Sequence, residues 1–70
     1  MPVKLRKILK VLSKYYGYHE VRKGKGDHSI WKNHEGRVLT IVMKNEIKQG
    51  TYLGILKEAK IDRKEFESHF

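Results

Sequence analysis

Between Tyr18 and Lys44 the chain runs YHEVR, GKG, HSIWK, NHEG and RVLTIVMK: three runs rich in β-branched and aromatic residues, joined by two short glycine-bearing connections. Connections of hairpin length can only join neighbouring antiparallel strands, so the stretch predicts a three-stranded antiparallel meander. Alternation within the runs is imperfect, which leaves the facing of single side chains weakly fixed. If Ile30 points to the core, His28 shares that side at the mouth of its strand, and Ser29 and Trp31 face the other way.

Helical periodicity brackets the meander. Leu5, Ile8, Leu9, Leu12 and Tyr16 form an apolar stripe with Lys4, Lys7, Lys10 and Lys14 on other faces, and Gly17 ends the helix. Downstream, Tyr52, Ile55, Leu56 and Ala59 repeat at i, i+3, i+4 and i+7, with Thr51 as the expected N-cap. Gly54 inside that helix costs roughly 1 kcal/mol relative to alanine, so either something approaches closely there or the site is tolerated. Asp62 and Glu65 form a capping box, and Ile61 and Phe66 a hydrophobic staple, for a short last helix. The expected fold class is α+β: two helices on one face of the three-stranded sheet, a short C-terminal helix, and the other sheet face open.

A chain of 70 residues is read as a single domain spanning 1–70, too small to enclose a deep cavity, so any site is shallow. Without cysteine there is no disulfide framework, thiolate zinc site or cysteine nucleophile. The opening MPVKLRKILKVL lacks the features of a signal peptide, and no apolar run approaches the ~18 residues of a membrane span, so a soluble, cytoplasmic protein is expected. The net charge of +8 is concentrated. Residues 1–44 hold 11 Lys and Arg against Glu20, Asp27 and Glu35, whereas residues 45–70 hold five of each sign. Such a field attracts polyanions, nucleic acid foremost, although a lysine-rich surface kept for solubility has the same composition.

Of the four histidines, His19, His34 and His69 read as structural or solvated. No two carry the helical spacing of a zinc hydrolase, and neither a nucleophile elbow nor a phosphate-binding loop is present, so no metal or other cofactor is expected. His28 differs in its surroundings. Gly24 and Gly26 let backbone approach a ligand, Lys23 and Lys25 bring cations, and an ordinary imidazole exchanges protons near neutral pH. Those are the elements of RNA cleavage by the neighbouring 2′-hydroxyl: a base removes its proton, and cations stabilise the charge that gathers on phosphorus. The alternative is a histidine that merely opens a strand beside a basic loop. Candidate RNA contacts are Lys23, Lys25, Gly26, Lys32, Arg37 and Lys44. Tyr15, Tyr16, Tyr18 and Tyr52 mostly read as core, leaving Trp31 as the candidate for stacking a base.

Three stretches carry a resemblance: LSKYYGY (12–18), GDHSIWKNHEGR (26–37) and KQGTYLGILKEAKID (48–62). In this order within one short basic chain they resemble the HicA-type toxins of bacterial and archaeal toxin–antitoxin systems, which are messenger-RNA endonucleases. The resemblance implies a fold like that of the double-stranded-RNA-binding domain, helix–strand–strand–strand–helix, in agreement with the order read above. It also implies that His28 is the catalytic residue, that cleavage needs no metal, and that a HicB-type antitoxin covers the site. Three positions depart from the family pattern. Asp27 stands where the family has Ser or Thr, and a carboxylate there either favours a protonated imidazole or repels phosphate. The Pro-x-His after the third strand is replaced by Val42, Met43 and Lys44, so Lys44 takes over or the role is lost. Lys60 replaces the glycine after the second helix. Besides the endonuclease, two other readings fit the sequence: a non-catalytic RNA-binding module of the same fold, and a small domain that docks an acidic protein.

Overall fold

The computed structural model describes residues 1–70, in the order β1 (Val3–Lys4), α1 (Leu5–Tyr15), β2 (His19–Lys23), β3 (His28–Lys32), β4 (Val38–Val42), β5 (Glu46–Ile47), α2 (Gln49–Ala59) and α3 (Arg63–Glu67). Strands β2, β3 and β4 form the antiparallel meander that the short connections require. The whole is an α+β fold of the double-stranded-RNA-binding-domain-like type.

Helix α1 buries Leu5, Ile8, Val11 and Leu12, while Leu9 and Tyr16 pack more loosely against the same core. Gly17 follows it at φ +71°, a conformation that costs an L side chain about 1–2 kcal/mol. The ribbon of β1 and β5 has no counterpart in the sequence reading, because strands of two residues carry no periodicity. It pairs Val3 with Ile47, and next to it the Leu5 N–H donates to the Asn45 carbonyl at 3.0 Å, fixing where α1 begins.

That ribbon also corrects the start of α2. The helix begins at Gln49, with Lys48 as an N-cap residue that offers no side-chain hydrogen bond, and Thr51 lies inside its first turn. Ile47 is buried in the ribbon, so the chain turns into helix as soon as the ribbon ends, before any capping side chain is reached. At the other end Lys60 adopts φ 57° and ψ 44°, and the Ile61 N–H donates to the Leu56 carbonyl at 2.9 Å. This is the left-handed stop that glycine usually provides. Asp62 caps α3 by accepting from the Glu65 N–H at 3.1 Å. The Glu65 carboxylate accepts from the Tyr16 hydroxyl at 2.7 Å, joining α3 to the end of α1. Phe66 is fully buried beside Tyr52, and Ile61 packs on the same cluster, as the staple requires.

The facing of the sheet is the reverse of the conditional sequence reading. Ser29 pairs with Ile41 and Trp31 with Leu39; Leu39 and Ile41 are fully buried, so this side of β3 packs on the helices. His28 and Ile30 share a side, as alternation demands, but it is the open one, opposite Val42 and Thr40. Adjacent apolar residues at 30 and 31 make either facing plausible for β3 alone. The buried pair in β4 decides it. A register shift between Glu20 and Arg22 places Val21 in a bulge and leaves it half exposed.

Candidate active site

Residues 25–28 form a tight turn closed by the His28 N–H donating to the Lys25 carbonyl at 3.1 Å. Its first central residue, Gly26, has φ +59°, a value that favours glycine and belongs to the primed turns that join strands with the right twist. The turn is tied down twice. The Gly24 N–H donates to the His28 carbonyl at 2.8 Å, and the Met43 N–H beyond β4 donates to the Asp27 carbonyl at 2.6 Å.

This arrangement presents His28 at the first position of β3, exposed, with Nδ1 3.2 Å from the Lys25 carbonyl oxygen. A carbonyl only accepts, so the contact is a hydrogen bond when Nδ1 carries the proton, and the neutral ring in that tautomer has its lone pair on Nε2. The contact favours the tautomer that can take a proton at Nε2. His28 borders a shallow hollow of about 270 Å³ together with Glu20, Lys23, Gly26, Asp27, Ser29 and Met43. Ser29 is buried and its hydroxyl donates to the Glu20 carboxylate across the β2–β3 pair. Glu20, Asp27 and His28 do not come together as a set that could hold a metal ion.

Of the candidate residues, the hollow brings together Lys23, Gly26, Asp27 and His28. Lys25 contributes the carbonyl that orients the imidazole, and Lys44 lies one residue past Met43. Lys32 and Arg37 lie elsewhere. Lys32 ends β3 opposite Val38, about 13 Å along the strand from His28 at ~3.3 Å per residue, and Arg37 borders a different hollow with Glu35 and Glu58. Trp31 packs against the core from the helix-facing side, its indole N–H buried without a hydrogen-bond partner, so it offers no base-stacking platform next to His28. Sequence reasoning missed Glu20 and Ser29. Their meeting depends on the bulge at Val21, for which the run YHEVR gives no signal.

The family model described as the HicA toxin of bacterial toxin–antitoxin systems matches residues 5–61. The chain belongs to the HicA toxin family. No curated protein matches it. Membership makes it the toxin of a toxin–antitoxin pair. In the HicA frame, His28 and its turn lie inside the matched region, as do α1, the whole meander and α2. Strand β1 and helix α3 lie outside it. No helix is long and apolar enough to cross a membrane.

Proposed function

We propose that this HicA-family chain is a cytoplasmic endoribonuclease that cleaves messenger RNA with His28 as its proton-transfer residue, and that a HicB-type antitoxin neutralises it by covering that site. The observation that carries the proposal is the held imidazole: exposed at the strand mouth, with Nδ1 on the Lys25 carbonyl and Nε2 free of any protein partner. Nε2 takes the proton of a ribose 2′-hydroxyl, the 2′-oxygen bonds to the adjacent phosphorus, and the bond from phosphorus to the 5′-oxygen breaks. The products are a 2′,3′-cyclic phosphate and a 5′-hydroxyl, whose proton comes from a second donor. Lys23 and Lys25 supply positive charge beside the phosphorane, and Gly26 lets the backbone come close.

A second reading, an RNA-binding module without catalysis, draws on the two carboxylates of the hollow, Glu20 and Asp27, which oppose an approaching phosphate. Incubating labelled single-stranded RNA with the wild-type chain and with His28→Ala, both with EDTA, separates the two. Cleavage leaving a cyclic phosphate, abolished in the variant, is expected. Equal cleavage by both chains, or none by a folded wild type, overturns the catalytic role.

A further inference from the structure

The hollow at His28 is a poor place from which to hold RNA, because Lys23 shares it with two carboxylates. Carboxylates also border the hollow at the start of α1, through Glu46, and both hollows near the β3–β4 turn, through Glu35. One cleft is different. Lys7, Lys10, Val11 and Lys14 of α1, with Tyr15, His69 and Phe70, enclose about 200 Å³ without a single acidic side chain. Residues 1–15 contain no Asp or Glu at all. The two carboxylates of α3 are hydrogen-bonded outside the cleft, Glu65 by Tyr16 and Glu67 by Tyr52 and Arg63.

The rings of this cleft are ordered. Tyr15 stacks on His69 with centroids 3.8 Å apart and planes 14° from parallel. Lys14 Nζ lies 5.5 Å from the Tyr15 centroid and Lys7 Nζ 5.6 Å from that of Phe70. Tyr15 and Phe70 nevertheless keep about half of their surface in solvent, 48% and 49%. The three lysines climb the helix in steps of about 4.5 and 6 Å, a spacing that suits consecutive phosphates of an extended strand. Cations along a groove, with exposed aromatic rings between them, are what a single-stranded nucleic acid requires of a binding surface, phosphates on the cations and bases on the rings. An acidic protein would use the lysines and have no need of the rings.

We infer that the cleft between α1 and the C-terminal residues is a second RNA-contact site, which grips single-stranded RNA away from the scissile phosphate. It rests on the reading of RNA as the substrate. His69 and Phe70 lie beyond the family match at 5–61, so two of the three rings of this site lie outside the matched region. The His28 turn then has only to perform the chemistry, and affinity comes from the helix.

The test is the affinity of a labelled single-stranded RNA, read by anisotropy over a salt series, on a His28→Ala background that leaves the probe intact. Replacing Lys7, Lys10 and Lys14 together by Gln should weaken binding about tenfold or more and flatten the log–log salt slope by about 2, given roughly 0.7 per phosphate contact. Tyr15→Ala and His69→Ala should each weaken it about tenfold with the slope unchanged, and Tyr15→Phe should bind like its parent. All four are surface changes whose folding is checked by thermal melting. Unchanged affinity and slope in the lysine variant overturn the inference. So does a loss confined to the lysine variant with the ring variants unaffected, which marks a charge patch suited to an acidic protein. If the wild type cleaves no RNA while these binding losses appear, the catalytic reading fails and the second site stands; normal cleavage with unchanged binding has the opposite meaning.

Discussion

A side chain on Gly17 would have to enter the space held by His34: a Cβ there would stand 2.6 Å from His34 Cδ2 and 3.1 Å from its Nε2. The turn that ends α1 and the turn between β3 and β4 are therefore in contact, and the glycine is needed twice, for its φ of +71° and for its lack of a side chain.

Gly17→Ala should lower stability by about 1–2 kcal/mol, most of it from the left-handed backbone. In a His34→Ala background the steric part disappears, because the ring is gone, and most of the loss remains. Urea midpoints of the two single variants and the double variant give the partition; full recovery in the double variant would assign the cost to the ring instead.

Gly54 has no such justification. Nothing lies within 4 Å of a Cβ placed there, in the middle of α2. Gly54→Ala should raise stability by about 1 kcal/mol, seen as a higher denaturant midpoint at unchanged slope.

Lys60 is the only non-glycine residue with positive φ. Lys60→Gly should stabilise the chain by about 1 kcal/mol by relieving that strain, with RNA cleavage unchanged. A destabilised variant would show that the lysine side chain contributes more than its backbone costs.

The tyrosines facing α3 set an alkaline limit. Burial first, then the hydrogen bond to Glu65, pushes the Tyr16 phenol up to about 12, and burial followed by the Glu67 bond raises that of Tyr52 as well. A raised phenol favours the native state while it stays protonated. Its contribution is complete below the ordinary value near ~10 and is lost as pH rises through about 12. Tyr16→Phe should flatten the fall of stability with pH above ~10 in chemical denaturation. A slope identical to that of the wild type would place the alkaline limit on other groups.

Asp27 is the carboxylate of the His28 hollow that adjoins the histidine in sequence, and its backbone carbonyl, not its side chain, holds the turn to Met43. Asp27→Ser should therefore preserve the fold and raise kcat/KM for RNA by roughly fivefold, about 1 kcal/mol for one removed charge near the phosphate. The gain should shrink at high salt. A lower rate would mean that the carboxylate assists the imidazole.

The three helices and the meander were legible because each has a local signature: the helical stripe from Leu5, the glycine-bearing connections, the cap at Asp62; the two-residue strands β1 and β5 have none. What was not legible depends on contacts between distant residues. Ile30 and Trp31 are neighbours of similar apolarity, and only the packing of Leu39 and Ile41 decides which faces inward. Thr51 looked like a cap because the ribbon that starts α2 earlier is two residues long on each side. At the site, His28, Asp27 and the basic loop could be read from a contiguous stretch, whereas Glu20 reaches Ser29 only through a bulge. Nor could the sequence bring His69 to Tyr15, 54 positions away.

The burial of Phe66 among Tyr16, Tyr52 and Phe70 has a consequence for synthesis. A ribosome making this chain completes α1, the meander and α2 before it reaches the residue that fills the gap between the two helices. Until then the nascent protein exposes apolar surface on both, and its packing can close only once α3 has followed α2 out of the ribosome.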